Sequence, residues 1–265
     1  MAQLLEDHQI GSSEGEHRVR LEECPKRVRA FSGAVPVADS RRVTTLFETG
    51  HLPVYYFPRR DVRTDLLEEA DRHTFCPYKG TASYYRVLGT GREPVEDAAW
   101  AYPEPLPEAP AELAGLVAFY WEKMDAWFEE DEEVFVHARD PYKRIDVLHS
   151  SRHLRVELNG ETVAETTRPC LLFETGLPTR YYIPKIDVRL EALEPSERTS
   201  RCPYKGTANY HSVRAGGALV EDVAWFYRHP TEECSKIANM ICFFNEKVDL
   251  YLDGERLERP RTAWS

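Results

Sequence analysis

The chain has 265 residues, 42% hydrophobic and 30% charged, with 14 tyrosines and a formal net charge of −11 at pH 7. That balance supports a folded core and excludes global disorder. The mean field repels a nucleic-acid backbone and no long Lys/Arg run offsets it, so no nucleic-acid partner is expected.

The start, Met1 to His8, lacks a basic stretch followed by an apolar one and does not read as a secretory signal. No window approaches the roughly 18 apolar residues that span a bilayer, and no membrane partner is expected. Cys24, Cys76, Cys170, Cys202, Cys234 and Cys242 form no Cys-x-x-Cys pair. Neither a structural zinc site nor a shared disulfide framework follows from them. Reduced thiols in a cytoplasmic protein are the expectation. Residues 1–25 read as a flexible tail, polar and Gly/Ser-rich from Asp7 to Glu16.

An internal duplication dominates the rest of the chain. Phe47-Glu48-Thr49-Gly50 returns as Phe173-Glu174-Thr175-Gly176. Tyr55-Tyr56-x-Pro58-x-x-Asp61-Val62-Arg63 returns as Tyr181-Tyr182-x-Pro184-x-x-Asp187-Val188-Arg189. The heptapeptide Cys76-Pro77-Tyr78-Lys79-Gly80-Thr81-Ala82 recurs unchanged from Cys202 to Ala208. Glu96-Asp97-x-x-Trp100-x-Tyr102 matches Glu221 to Tyr227, and Glu122-Lys123-x-Asp125 matches Glu246 to Asp249. The first module is placed at 26–130 and the second at 153–258. Residues 131–152 form an ordered connecting segment expected to pack on one or both modules, and 259–265 a carboxy-terminal tail.

The second module reads mostly as strand. Leu154 to Leu158 alternates and meets Asn159-Gly160, a strong hairpin signal. Leu171–Glu174, Tyr181–Ile183, Thr207–Val213, Leu219–Tyr227, Met240–Phe244 and Val248–Leu252 follow as further strand-like runs. Helix has room only at Ala111–Gly115, Leu190–Leu193 and Glu232–Ala238. The class is mainly β, with two tandem copies of a compact curved-sheet or barrel-like module carrying short helices. Two fused copies resemble an internal pseudo-dimer, which would allow pockets at a module interface.

Cys-Pro-Tyr-Lys-Gly concentrates the candidate chemistry. Proline fixes φ and glycine permits a positive φ, so the segment is an extended entry into a tight turn. Across such a turn Lys79 or Lys205 would approach the sulfur of Cys76 or Cys202 and favour a thiolate nucleophile. A buried cysteine beside an ordinary turn is the structural alternative. Turn geometry alone, however, requires neither the lysine nor the tyrosine that both copies keep.

Candidate catalytic residues are therefore Cys76, Cys202, Glu48, Glu174, Asp61 and Asp187. Candidate ligand-binding residues are Tyr56, Arg63, Tyr78, Lys79, Trp100, Tyr182, Arg189, Tyr204, Lys205 and Trp225. Asp187 and Arg189, two apart, would share a face of a strand as acid and anion clamp, or form a structural salt bridge. Glu174 is either a turn acceptor or a general base. Trp225 and Tyr227, again two apart, are core packing or a stacking platform. No histidine is shared by the modules, there is no phosphate-binding Gly-rich loop, and Gly89-x-Gly91 reads as an isolated hairpin turn. No metal site and no particular cofactor is indicated.

These motifs resemble the bacterial domain family catalogued as DUF427. The resemblance rests on Phe173–Gly176, Tyr181–Val188, Cys202–Tyr210, Ala224–Tyr227 and Phe244–Asp249 with their first-module equivalents, and covers nearly all of the chain outside the tail and connecting segment. It implies a small, mostly β module and supplies no reaction. The family also carries a nucleotidyltransferase-like label, but the paired carboxylates after Gly-Ser expected of a metal-dependent nucleotidyltransferase are missing. Three readings stay open: an enzyme acting on a small polar or anionic metabolite, a non-catalytic binding or sensor module, and a scaffold.

Overall fold

The computed structural model describes residues 17–89, 93–262 and 265. Residues 1–16 of the expected tail, Gly91 of the expected hairpin turn, and 263–264 lie outside them. The described chain divides between Asp140 and Pro141 into two compact units.

The first unit begins with strands β1 (Val19–Glu23), β2 (Val28–Ser32), β3 (Val35–Ser40), β4 (Thr44–Glu48) and β5 (Val54–Pro58). It continues with β6 (Leu67–Cys76), β7 (Gly80–Val87), β8 (Val95–Ala101), β9 (Leu116–Phe119), β10 (Ala126–Glu129) and β11 (Glu132–Glu133). Seven of these make an antiparallel sheet in the order β1-β4-β5-β9-β8-β7-β6, and four make a smaller one, β11-β10-β2-β3.

The second unit repeats the plan with β12 (Ile145–His149), β13 (Leu154–Leu158), β14 (Glu161–Thr166), β15 (Cys170–Glu174) and β16 (Arg180–Ile183). There follow β17 (Leu193–Cys202), β18 (Gly206–Ala215), β19 (Ala218–Pro230), β20 (Ile241–Phe243), β21 (Asp249–Leu252) and β22 (Glu255–Arg256). Its sheets are ordered β12-β15-β16-β20-β19-β18-β17 and β14-β13-β21-β22. The duplication is thus structural as well as sequential, and the class is mainly β. Neither large sheet closes into a barrel.

Each large sheet buries both faces. Along β5, Tyr55 and Phe57 enter a core shared with Ala30, Val37 and Trp127 of the small sheet. Tyr56, between them, turns to the opposite face with Leu46, Ala82, Tyr84 and Leu113. There the cover is the segment after β8, whose 3₁₀ helix is Ala111–Gly115; Glu232–Ile237 is its counterpart. The candidate chemistry lies on this second face.

Asn159 and Gly160 form the expected two-residue hairpin, both at positive φ as a primed turn requires. Within residues 131–152, Ala138 is buried in the first unit's inter-sheet core, and Ile145–His149 is an edge strand of the second. The long edge strands β6 and β17 gave no apolar alternation in sequence, because they are largely exposed and carry the charges that protect a free edge.

Gly80 and Gly206 have φ of +106° and +98°, and an added Cβ would come 3.0 Å from the carbonyl oxygens of Glu104 and His229. Gly80→Ala and Gly206→Ala should each lower the unfolding free energy by about 1–3 kcal/mol in urea denaturation.

Candidate functional site

The repeated heptapeptide is the turn of the β6–β7 hairpin and of its counterpart β17–β18. In the first copy the Lys79 N–H closes the turn on the Cys76 carbonyl at 3.3 Å, and Cys76 pairs with Gly80. Proline at the second position and glycine at positive φ satisfy the backbone. The turn then joins the covering segment: Leu106 donates to the Lys79 carbonyl, and Thr231 to that of Lys205. Cys, Tyr and Lys remain to be explained by what their side chains touch.

Lys79 donates through Nζ to Glu48 at the end of β4, and Lys205 donates to Glu174 at the end of β15. These strands stand four places from β7 and β18 in their sheets. On a flat sheet four inter-strand steps would be about 19 Å, beyond the combined reach of the two side chains. The contact therefore spans the concave face of a strongly curled sheet. Both pairs are almost closed to solvent; Lys79 as a whole is 8% exposed.

Aromatic hydroxyls surround each pair. Trp100 Nε1 donates to the Tyr56 hydroxyl at 3.0 Å, and Trp225 donates to that of Tyr182 at 3.2 Å. Tyr102 lies with its ring 5.7 Å from the Lys79 ammonium. Burial raises the pKa of Tyr56, Tyr102, Tyr182 and Tyr227, so each keeps its proton. Burial also works against the Glu48 carboxylate, but the hydrogen bond and charge of Lys79, with a hydrogen bond from His17, outweigh it and hold the pKa below the usual range. At Lys205 burial disfavours the ammonium, yet the Cys202 sulfur and the Glu174 carboxylate override it and raise the pKa.

Cys76 and Cys202 stand at the rim, partly exposed, whereas the other four cysteines are buried. Burial raises the thiol pKa at Cys24, Cys170 and Cys234 and pushes Cys242 up to about 12. Each lysine, expected to face its cysteine, spends its hydrogen bond on a glutamate instead. The Cys202 sulfur is nonetheless near enough to act on the Lys205 charge.

Glu48, Tyr56, Cys76, Lys79 and Trp100 are thus brought together, as are Glu174, Tyr182, Cys202, Lys205 and Trp225. The two tyrosines of the turn differ. Tyr78 is 44% exposed and stacks on His17 at 3.5 Å, while Tyr204 is buried and its carbonyl accepts from the Thr231 hydroxyl. Asp61, Asp187, Arg63 and Arg189 lie elsewhere, beside the small sheets. Asp187 does not share a strand face with Arg189, since it closes a 3₁₀ turn, Lys185–Asp187. It accepts from Thr166 and Arg168, as Asp61 accepts from Ser40 and Arg42. Arg63 turns to Asp65, and Arg189 to Glu161 and Glu191.

Three participants were not among the candidate site residues. Tyr102 was visible only through its repeat partner Tyr227. His17, which bonds Glu48 at 3.1 Å, comes from the presumed tail. Arg180 forms a two-point pair with Glu246 at 2.8 Å and lies over the Trp225 ring, where the first copy has Val54. No His/Cys/Asp/Glu group suited to a metal ion occurs among the described residues.

The sequence model of the domain of unknown function DUF427 matches residues 20–130 and again 146–254. This chain belongs to the DUF427 family, in two tandem copies. Comparison with curated proteins gives no match. Both matched stretches contain a complete set of the Glu, Tyr, Cys, Lys and Trp described above, so each DUF427 match in this chain holds one whole cluster. The family description names no reaction, and the chemistry must be read from the residues themselves.

The opposite pKa shifts give the site a pH signature. A depressed Glu48 pKa contributes stability that is present above about pH 4.3 and is lost as pH falls through the folded value. A raised Lys205 pKa contributes stability that is complete below about pH 10.4 and is lost as pH rises through the folded value. The stability difference between wild type and Glu48→Gln should shrink as pH drops below about 4. That between wild type and Lys205→Met should shrink above about pH 10.4; urea denaturation across pH reads both.

Proposed function

We propose that each DUF427 module is a small-molecule site acting on a small polar or anionic metabolite, built on the glutamate–lysine pair with the cysteine at its rim. The observation that carries this is the pair itself, reproduced in both copies beside a partly exposed thiol and protonated tyrosines. A charge pair removed from water recovers its desolvation cost poorly and is weak as a purely stabilising device. Charged, hydrogen-bonded groups beside a nucleophile are instead what a binding or reacting site requires.

The parts have distinct roles in this scheme. The lysine ammonium, released from its glutamate, meets the anionic group of the ligand. The glutamate then holds or moves a proton, Tyr102 or Tyr227 donates one, and the Cys76 or Cys202 sulfur contacts or attacks the bound molecule. Six unpaired cysteines fit a reducing, cytoplasmic setting. A scaffold reading has one observation in its favour: the pair ties the tip of a long hairpin to a distant strand.

Thiol labelling of the native protein separates the two. Cys76 and Cys202 should be alkylated far faster than the other four cysteines, and small carboxylates or inorganic phosphate should slow labelling at these two alone. Inert thiols, or rates that no such anion changes, would leave the scaffold reading standing.

A further inference from the structure

The two copies differ at one place where the first is filled and the second is hollow. In the first, Trp121 and Trp127 stack with ring centres 4.4 Å apart and planes within 9°. Tyr55 sits 6.4 Å from Trp121 and donates its hydroxyl to Glu129 at 2.7 Å. The duplication gives each its counterpart. Tyr120 and Phe244, equivalent through their bonds to Ala98 and Val223, place Asn245 where Trp121 stands. Strand pairing places Leu250 opposite Val156 as Trp127 lies opposite Ala30, and Leu252 opposite Leu154 as Glu129 lies opposite Val28.

Two indoles and a carboxylate are therefore replaced by an amide and two leucines, with Tyr181 left in the position of Tyr55. A cavity of about 240 Å³ results, lined by Tyr181, Asn245, Val248, Leu250, Leu257 and Glu258 among others. It belongs to the inter-sheet side of β16, since Tyr181 and Tyr182 point to opposite faces. It is thus separate from the site around Lys205.

Its polar groups are incompletely met. Asn245 is 7% exposed, its Nδ2 donates to the Thr179 carbonyl at 2.8 Å, and its Oδ1 has no partner among the described residues. That bond fixes the amide orientation, because a flip would set two oxygens against each other. The Tyr181 hydroxyl has no acceptor among the described residues comparable to Glu129. A buried acceptor without a donor is costly, and a ligand N–H removes the cost.

We propose that this cavity is a second ligand site, for a planar N–H-bearing heteroaromatic molecule the size of indole. The shape is set by what the first copy places there, a flat bicyclic ring between Tyr55 and Trp127. The size agrees, since drug-sized ligands occupy pockets of roughly 300–1,000 Å³ and this one is smaller. The ring would lie against Leu250, Val248 and Leu257. Its N–H would serve the unmet acceptor at Asn245, and the Glu258 carboxylate at the rim would accept a basic substituent.

Indole itself is the probe, titrated into the full chain with the methyl resonances of Val248 and Leu250 followed by NMR. Wild type and Trp264→Ala are both titrated. Saturable shifts at those methyls are expected, with at least tenfold weaker binding of N-methylindole. Asn245→Trp, which restores the residue of the first copy, should abolish the shifts in a protein that melts no lower than wild type. Leu250→Trp, read at the Val248 methyls alone, replaces it if Asn245→Trp does not fold. Absence of saturable shifts in both starting proteins, or unchanged shifts in the filled variant, would overturn the site. Equal binding of N-methylindole would overturn the assigned ligand class.

Discussion

An ammonium and a carboxylate meet across the concave face of each large sheet, and the arrangement of that face follows from their meeting. Lys79 comes from the tip of one hairpin and Glu48 from a strand four places away, so their contact requires the sheet to curl. The curl gathers Tyr56 of β5, Trp100 of β8 and Tyr102 between them, and the segment after β8 folds over the top. The result is a charge pair with little access to water. The rim cysteine, the protonated tyrosines and the indole-to-hydroxyl bond are each positioned by the same curvature. In the second copy Glu174 and Lys205 repeat the closure with no histidine bonded to them among the described residues.

Such a pair is a poor way to gain stability. Taking both charges out of water costs several kcal/mol per ion, which mutual attraction only partly returns, while breaking the pair from one side costs roughly 3–5 kcal/mol. Apolar residues of similar volume would pack the face as well or better. The chain keeps the pair in both copies, even though the copies diverge elsewhere on the same face. Arg180 stands for Val54, and Phe244 for Tyr120. It also tolerates the replacement of a stacked tryptophan pair on the opposite face by Asn245 and Leu250. Packing has therefore been free to change between the copies while the glutamate–lysine pair has not.

Much of this was legible in the sequence, and the limits are physical. The duplication, the β class, the Asn159-Gly160 hairpin and the grouping of Cys, Lys, Trp and Tyr all followed from repeated residues and local turn chemistry. The partner of Lys205 did not, because local spacing suggested the cysteine three residues away, while the glutamate lies 31 residues away and arrives only through sheet curvature. Asp187 and Arg189 misled because a 3₁₀ turn breaks the two-residue period that would put them on one face. The strand β17 was hidden because an exposed edge need not alternate. The cavity beside Asn245 was invisible until the two copies were laid on one register.

On the proposed function, the glutamate–lysine pair is kept for ligand chemistry and adds no net stability. The most direct test replaces both partners at once, Glu48→Leu with Lys79→Met and Glu174→Leu with Lys205→Met, and measures urea unfolding alongside anion protection of Cys76 and Cys202. The fourfold variant should match wild type in stability or exceed it by up to about 4 kcal/mol, and anions should no longer protect its thiols. A protein that unfolds readily, or one in which protection by anions persists, would contradict the proposed function.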